Sequence, residues 1–418
     1  MKDRELLREK IEQDKKELFE LLGSLIKINS ENFISYGNET QCPDYIKDYC
    51  VSIGLQAEVY SPLTVDGLKN HPDYFEGRHL EKRKNCTVTL KGKNDNRKLM
   101  LAAHHDTVQI GNENEWSFPP LCGIVKDGKV LGRGACDDKY AIATSLFLIK
   151  KIKELAIELD YDLLFTAYCD EEYGGSHGAL ATCLKYPCDD YVNLDCKNFD
   201  IWKAGVGGGE LKFIIQSAEA EDNCSKVFEG IKRVVEYLNE FRQKRQKELE
   251  KNIYFQGSVV ARNACRIMNF NAGGSGSTSM NQGELKITYY TDKDEKYINN
   301  ELSVFVKEIN AEFSKLGLQD LTIEKATRFF HYVECETNNP IIDKMKKAGM
   351  DNGKIIEDKG ACLSDYPMFI LYGSPRAICF GIGADFDRPG GAHQVNEYVD
   401  CDALVDFAKI MGDFLLSY

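Results

Sequence analysis

Between residues 84 and 200, apolar runs break off one after another at a histidine or an acid, and one long amphipathic stretch separates the second from the third. NCTVTLKG at 85–92, RKLMLAAHHD at 97–106, YDLLFTAYCDEE at 161–172 and DDYVNLDC at 189–196 read as strands, and KYAIATSLFLIKKIKELAIEL at 139–159 reads as a helix. Buried strands that alternate with helices pack as a sheet covered by helices, an α/β body. Open sheets of this kind place their sites in the polar loops beyond the strand ends. The residues found there are His104 and Asp106, Asp137 in GRGACDDK, Glu171 and Glu172 in CDEEYGG, Asp195 in VNLDC and His393 in GGAHQVNE.

The pattern changes after residue 206. GELKFIIQS reads as a strand, CSKVFEGIKRVVEYLNEFRQKRQKELEK as a long charged helix, SVVARNACRIMNF and ELKITYYTD as strands, ELSVFVKEINAEFSKLG as a helix and LTIEKATRF as a strand. This β-α-β-β-α-β order is ferredoxin-like and makes a self-sufficient two-layer unit. The α/β pattern then resumes with NPIIDKMKKAG, a helix, and SPRAICFGIG, a strand. The expected organisation is a main α/β domain in two segments, 1–206 and 326–418, with an inserted domain at 207–325. NAGGSGSTSMNQG at 271–283 lies between two strands and reads as a hairpin loop more than a linker. NIYFQGS at 252–258 resembles a protease-recognition tag, but it sits inside the chain and is assigned no function.

Composition narrows the classes of function. A net charge of −13, with both signs mixed along the chain, argues against nucleic acid or an anionic membrane as the partner. Fifteen scattered cysteines without a CxxC pair fit the reduced thiols of a cytoplasmic enzyme. The N-terminal stretch is charged throughout and lacks the apolar core of a signal peptide; its Leu6, Leu7, Ile11, Leu18, Leu22, Leu25 and Ile26 recur at roughly helical spacing. No segment reaches the ~18 apolar residues of a membrane helix.

Clustered carboxylates repel and cannot all stay ionised without cations among them. That requirement points to divalent metals between Asp137, Glu172 and Asp195. HHDTV, GRGACDDK, CDEEYGGSHGA and AHQVNEYV, with LDC between the last two, match the H-x-D, G-R-G-x-x-D-x-K, D-E-E-x-G and H-x-x-N-E motifs in order and rough spacing. In them the chain resembles the di-zinc aminoacylase, carboxypeptidase and dipeptidase superfamily, which includes acetylornithine deacetylase and peptidase T. The resemblance extends over most of the chain. It implies a zinc-peptidase-like catalytic domain, a mixed sheet flanked by helices, with an inserted ferredoxin-like α+β lid. It also implies two divalent metal ions, zinc in the first place, with manganese or cobalt as alternatives. His104 and Asp195 would bind one metal, Glu172 and His393 the other, with Asp137 bridging and Glu171 as general base.

Strand geometry agrees with the assignment of His104. Residues two apart share a face, so His104 and Asp106 point together while His105 points elsewhere. Asp106 is then expected to accept the second ring N–H of His104 and set its tautomer. Glu171 and Glu172 are expected to diverge as neighbours in an extended segment. Cys136, Cys169 and Cys196 should face away from the site as small buried residues, His177 should be a loop or helix-start residue, Asp138 should serve its loop backbone, and Asp365 should stand outside the ligand set.

One departure stands out. The superfamily commonly carries an oxyanion-stabilising histidine after the first strand of the smaller domain, a donor worth ~3 kcal/mol of transition-state stabilisation. Here that stretch reads IIQSAEAEDNCSK, and all seven histidines lie outside the insert as drawn. Arg266, Asn269, Asn271, Asn281 and His331 are the candidate replacements. Glu219, Glu221 and Asp222 read as solvated loop acids, or else as a grip on a substrate amine.

The expected function is a cocatalytic di-zinc hydrolase that cleaves an amide in a di- or tripeptide, as a dipeptidase or aminopeptidase would. Aspartate as the fifth ligand leans the same way. The alternative is an N-acyl amino acid deacylase of the acetylornithine type, and a non-catalytic metal-binding scaffold is the alternative of another class. The expected partners are a small peptide or N-acyl amino acid and a second copy bound through the insert, with no nucleic acid and no membrane.

Overall fold

The computed structural model describes residues 2–94, 96–218, 224–272 and 281–418. The chain begins with α1 (Lys2–Ile26), α2 (Gln41–Ser52), β1 (Gln56–Tyr60), β2 (Asn85–Leu90) and β3 (Lys98–His104). It continues through β4 (Ile124–Lys126), β5 (Lys129–Leu131), α3 (Lys139–Glu154), β6 (Asp162–Tyr168), α4 (His177–Lys185), β7 (Asp190–Asn193) and β8 (Ile201–Gly205). Next come β9 (Gly207–Gln216), α5 (Cys224–Leu249), α6 (Val259–Arg262), β10 (Cys265–Ala272), β11 (Gln282–Thr291), α7 (Glu295–Leu316) and β12 (Thr322–Lys325). The last stretch holds β13 (Val333–Glu334), α8 (Pro340–Asp351), β14 (Asp358–Ala361), α9 (Tyr366–Met368), β15 (Ile378–Phe380), β16 (Tyr398–Asp400) and α10 (Cys401–Ser417).

Two compact units form, one from 1–203, 334–359 and 365–418, the other from 204–333 and 360–364. In the first, a mixed sheet runs β1-β2-β6-β3-β7-β15-β8. Strands β6, β3, β7 and β15 are mutually parallel. Their interior is apolar on both faces: every residue of β6 is buried, and so are all of β3 except Lys98. Parallel strands so covered need helices on both sides. On one side α1, α3 and α10 pack together through Leu7, Ile11, Leu22, Phe147, Leu404 and Phe407. The guanidinium of Arg8 on α1 holds Asp413 of α10 at 3.0 and 3.1 Å through Nε, which ties the chain's first helix to its last.

The second unit is a four-stranded antiparallel sheet in the order β10-β11-β9-β12, with α5 and α7 on one face. Both the β-α-β-β-α-β chain order and the spatial order are ferredoxin-like. Alternation explains the packing: Leu211, Phe213 and Ile215 of β9 are buried while Lys212 and Ile214 between them are not, as period two requires. Phe213, Phe241, Ile287, Phe305 and Phe313 fill the layer between sheet and helices.

Two elements differ from the sequence reading. The 139–159 helix stops at Glu154, because Ala156 takes a left-handed φ of 51° and ends the ladder. Leu159 stays apolar because it is buried against the core from the following loop. The strand read from Ser258 opens instead as the short helix α6, where Ser258 Oγ accepts the Ala261 N–H at 3.1 Å.

Candidate active site

Parallel pairing gathers the site. His104 is in register with Tyr168, and Ala102 with Asn193, so β3, β6 and β7 all end at one edge of the sheet. The residues that follow them, His105 and Asp106, Glu171 and Glu172, and Asp195, leave the sheet there. Asp137 comes from the turn just before α3, and His393 from the loop between β15 and β16, where it takes a left-handed φ of 62°.

These side chains converge. Asp137 turns one carboxylate oxygen to each histidine: Oδ1 lies 3.0 Å from His104 Nε2 and Oδ2 lies 3.3 Å from His393 Nε2. Nε2 of His393 is also 2.7 Å from Glu172 Oε2. His104, Glu171 and Asp195 bring donor atoms within 4.8 Å of one another, and so do His104, Asp137 and Glu172. All seven residues singled out from the sequence thus lie on one edge, and six of them share this cluster.

The electrostatics are those of acids crowded together. Burial and the neighbouring Asp137 push the Asp195 carboxyl up to about 7. Burial, then Asp195, raises Glu171 well above the carboxylate range. Burial opposes ionisation of Asp137 as well, but His104 and His393 hold it low. Both imidazoles are driven well above their usual value against the cost of burial, His104 by Asp106 and Asp137, His393 by Glu172 and Asp137. Oxygen and imidazole donors that repel one another at this spacing form a donor set that divalent cations of the zinc, manganese or cobalt kind fit.

Asp106 does not do what strand geometry suggested. His104 Nδ1–H donates to the backbone carbonyl of Asp106 at 2.9 Å, while the Asp106 carboxylate stands 3.6 Å away. The chain leaves the β ladder after His104, so the carbonyl swings into the position the side chain would take. The imidazole still has its tautomer set, with Nε2 turned toward Asp137. The carboxylate instead accepts the N–H groups of Glu171 and Glu172 at 3.0 and 3.1 Å and the amide of Asn32 at 2.8 Å. Burial alone would raise it, yet His104 and the Asn32 amide outweigh burial and bring it down to about 2.

Glu171 and Glu172 diverge, but by a different cause. They sit in a turn beyond β6, not in extended chain. Glu172 Oε1 accepts the Val108 N–H at 3.0 Å, which leaves Oε2 for His393.

His105 points away: its ring N–H donates to Lys84 O at 2.8 Å, and burial lowers its pKa to about 4. His177 starts α4 with Nδ1 2.6 Å from Asp170 Oδ2. Cys136, Cys169 and Cys196 are buried, and burial raises their thiols well above the usual range. Asp138 is buried, and its side chain makes no capping bond to the start of α3, so it does not serve its loop backbone as expected. Asp365 is buried and accepts the Ser176 hydroxyl.

The candidate donors lie in the second unit. Arg266, Asn269 and Asn271 are on β10, and Asn281 directly precedes β11. His331 is in this unit too, since the unit extends to Val333; its ring lies 5.5 Å from that of Phe329. Glu219, Glu221 and Asp222 lie outside the described residues.

One clamp went unassigned in the sequence although both halves were in the motifs. Glu397 is buried and accepts from Arg133 Nη1 at 2.7 Å, Gly134 N–H at 3.0 Å and Cys136 N–H at 2.9 Å. It fastens the loop that carries Asp137 to the segment that carries His393.

Fold and site together define a metal-dependent hydrolase built as a catalytic α/β unit with a ferredoxin-like insert. The chain belongs to peptidase family M20/M25/M40, whose model matches residues 100–417, and is by that membership a metal-dependent amide hydrolase. It is 23% identical to the N-formyl-4-amino-5-aminomethyl-2-methylpyrimidine deformylase of Bacillus subtilis, over 99% of this chain and 97% of that one. The di-peptidase Dug1p of Saccharomyces cerevisiae has a similar fold, with a TM-score of 0.73 at 16% identity over 99% of this chain and 98% of that one. So does a dinuclear metal-binding peptidase of the M20 family from Bacillus subtilis, with a TM-score of 0.63 at 12% identity over 97% and 98%. Among the described residues no helix is long and apolar enough to cross a membrane.

Proposed function

We propose that this chain is a cocatalytic di-zinc peptidase that cleaves an amide bond in di- or tripeptides, with Glu171 as general base. The observation that carries the reading is the two-sided placement of Asp137, with one carboxylate oxygen toward His104 and the other toward His393. In this arrangement His104 and Asp195 would hold one cation and Glu172 and His393 the other, and Asp137 would serve both. Bound cations of this kind supply Lewis acidity, acidifying a water and polarising a carbonyl. Glu171 takes the proton from the attacking water and hands it to the departing amine. Asp106 fixes where Glu171 stands by binding its backbone N–H, and sets the His104 tautomer through its own carbonyl. The free thiols of the described cysteines fit a cytoplasmic setting, and the second unit fits a lid or a contact between two copies.

A second reading, an N-acyl amino acid deacylase, is favoured by the deformylase likeness along nearly the whole chain. A panel of free-amine di- and tripeptides against N-formyl, N-acetyl and N-succinyl amino acids separates the two. Peptide cleavage that a chelator abolishes and zinc restores is the expected result. Cleavage of acyl substrates alone would transfer the assignment to the second reading, and no cleavage by the metal-replete protein would overturn both.

A further inference from the structure

The Glu171–Glu172 turn hangs on a second anchor besides Asp106. Asp170, at its start, has a left-handed φ of 65°, uncommon for a residue other than glycine, and its carboxylate is fully buried. Oδ1 accepts from Arg78 through Nε at 3.0 Å and through Nη2, and lies 2.8 Å from Arg83 Nη1. Oδ2 meets His177 Nδ1 at 2.6 Å, and the Asp170 N–H donates to Glu39 Oε2 at 2.8 Å. The packing leaves no slack, since a Cβ on Gly175 would stand 2.0 Å from Asp170 Oδ2.

The two anchors are joined. Arg83, itself buried, pairs with Glu39 and donates to Ile34 O at 3.1 Å and to Asn32 Oδ1 at 3.3 Å. The Asn32 amide in turn binds the Asp106 carboxylate at 2.8 Å. A continuous buried chain of charge-assisted bonds therefore runs Arg78–Asp170–Arg83–Asn32–Asp106 beneath Glu171. Asn32, Glu39, Arg78 and Arg83 all precede residue 100, where the family match begins.

We propose that Arg78 and Arg83 are positioning residues for the general base. By neutralising and gripping Asp170 they hold the turn's left-handed corner and so fix the direction of the Glu171 carboxylate toward His104 and Asp195. Glu172 has an anchor of its own in the Val108 N–H that its Oε1 accepts, so the metal-ligand arrangement depends less on this grip. The inference rests on Glu171 as base.

Arg78→Gln tests it. On the best substrate of the panel, kcat falls about a hundredfold, as displacements near 1 Å do. KM stays within about threefold, and metal analysis still finds two ions per chain. Arg78→Lys recovers about tenfold by restoring the charge without the fork. A cycle with Asp170→Asn guards against misfolding, because the neutral pair leaves no buried charge uncompensated. The pair loses no more kcat than Asp170→Asn alone if Arg78 acts through Asp170. Undiminished kcat in Arg78→Gln, loss of metal in parallel with kcat, or losses that multiply in the pair would each overturn the proposal. An active Glu171→Gln overturns the base assignment and this inference together, whereas an inactive Glu171→Gln beside a full-speed Arg78→Gln overturns this inference alone.

Discussion

The two units bury their side chains with different emphasis, although the second also holds the buried Arg245 guanidinium against Glu301. The second fills the space between sheet and helices with aliphatic and aromatic side chains, Phe213, Phe241, Ile287 and Phe305 among them. The first buries Glu39, Arg83, His104, Asp106, Asp170 and Glu397 along with its apolar core. Buried ions that lose a partner cost several kcal/mol, and the gain from pairing them over well-packed apolar groups is small. Ions of this kind are therefore poor evidence of added stability. What they supply here is direction: each holds a backbone turn or a ring in one orientation at the end of a strand. The comparison teaches that substitutions in the second unit should be read out in stability, and those in the first in chemistry as well.

The largest effect expected is for Glu171→Gln. Loss of the proposed general base lowers the hydrolysis rate by about a thousandfold, while the melting temperature and bound metal stay near wild type. A coupled fall in all three would break the contrast. Phe213→Ala removes a fully buried ring from the second unit and costs about 4 kcal/mol of unfolding free energy in urea titration. Metal stoichiometry of the variant at low denaturant stays unchanged. Glu397→Gln costs about 3 kcal/mol by leaving Arg133 buried without its counter-ion. Unlike Phe213→Ala it also weakens metal uptake, since the Asp137 loop loses its clamp, and unchanged uptake would show that the loop holds without it.

The smallest effect is at the Arg4–Asp413–Arg8 cluster. Burial pushes the Asp413 carboxyl up, but Arg4, Arg8 and Asn352 outweigh it and hold it below the usual range. A folded-state pKa below the unfolded one stabilises fully above the unfolded pKa near ~4 and is lost as pH falls through the folded value. Because both arginines are about a third exposed, the contribution stays below about 1 kcal/mol. The stability gap between the wild type and Asp413→Asn should hold from neutral pH down to about pH 4 and narrow as the pH falls further.

How far the site could be read without coordinates differs by residue. His104, Asp137, Glu172 and His393 were legible because imidazole and carboxylate at the ends of apolar runs are costly without a ligand, and their spacing matched known motifs. Asp106 was legible as a member but not in its bond, because strand alternation says nothing once the chain leaves the ladder after His104. Arg78 and Glu39 were not legible: each is one charge in a polar loop, indistinguishable from a solvated side chain.

The sequence by itself determined the order of elements, the ferredoxin-like insert and the chemical types at the strand ends, since period two, period 3.6 and residue chemistry are local properties. Only the tertiary structure decided which atoms meet. The pairing of Arg78 and Arg83 with Asp170, and of Arg133 with Glu397, joins segments from 87 to 264 residues apart. Packing of the parallel strands brings those segments together, and no local pattern encodes that.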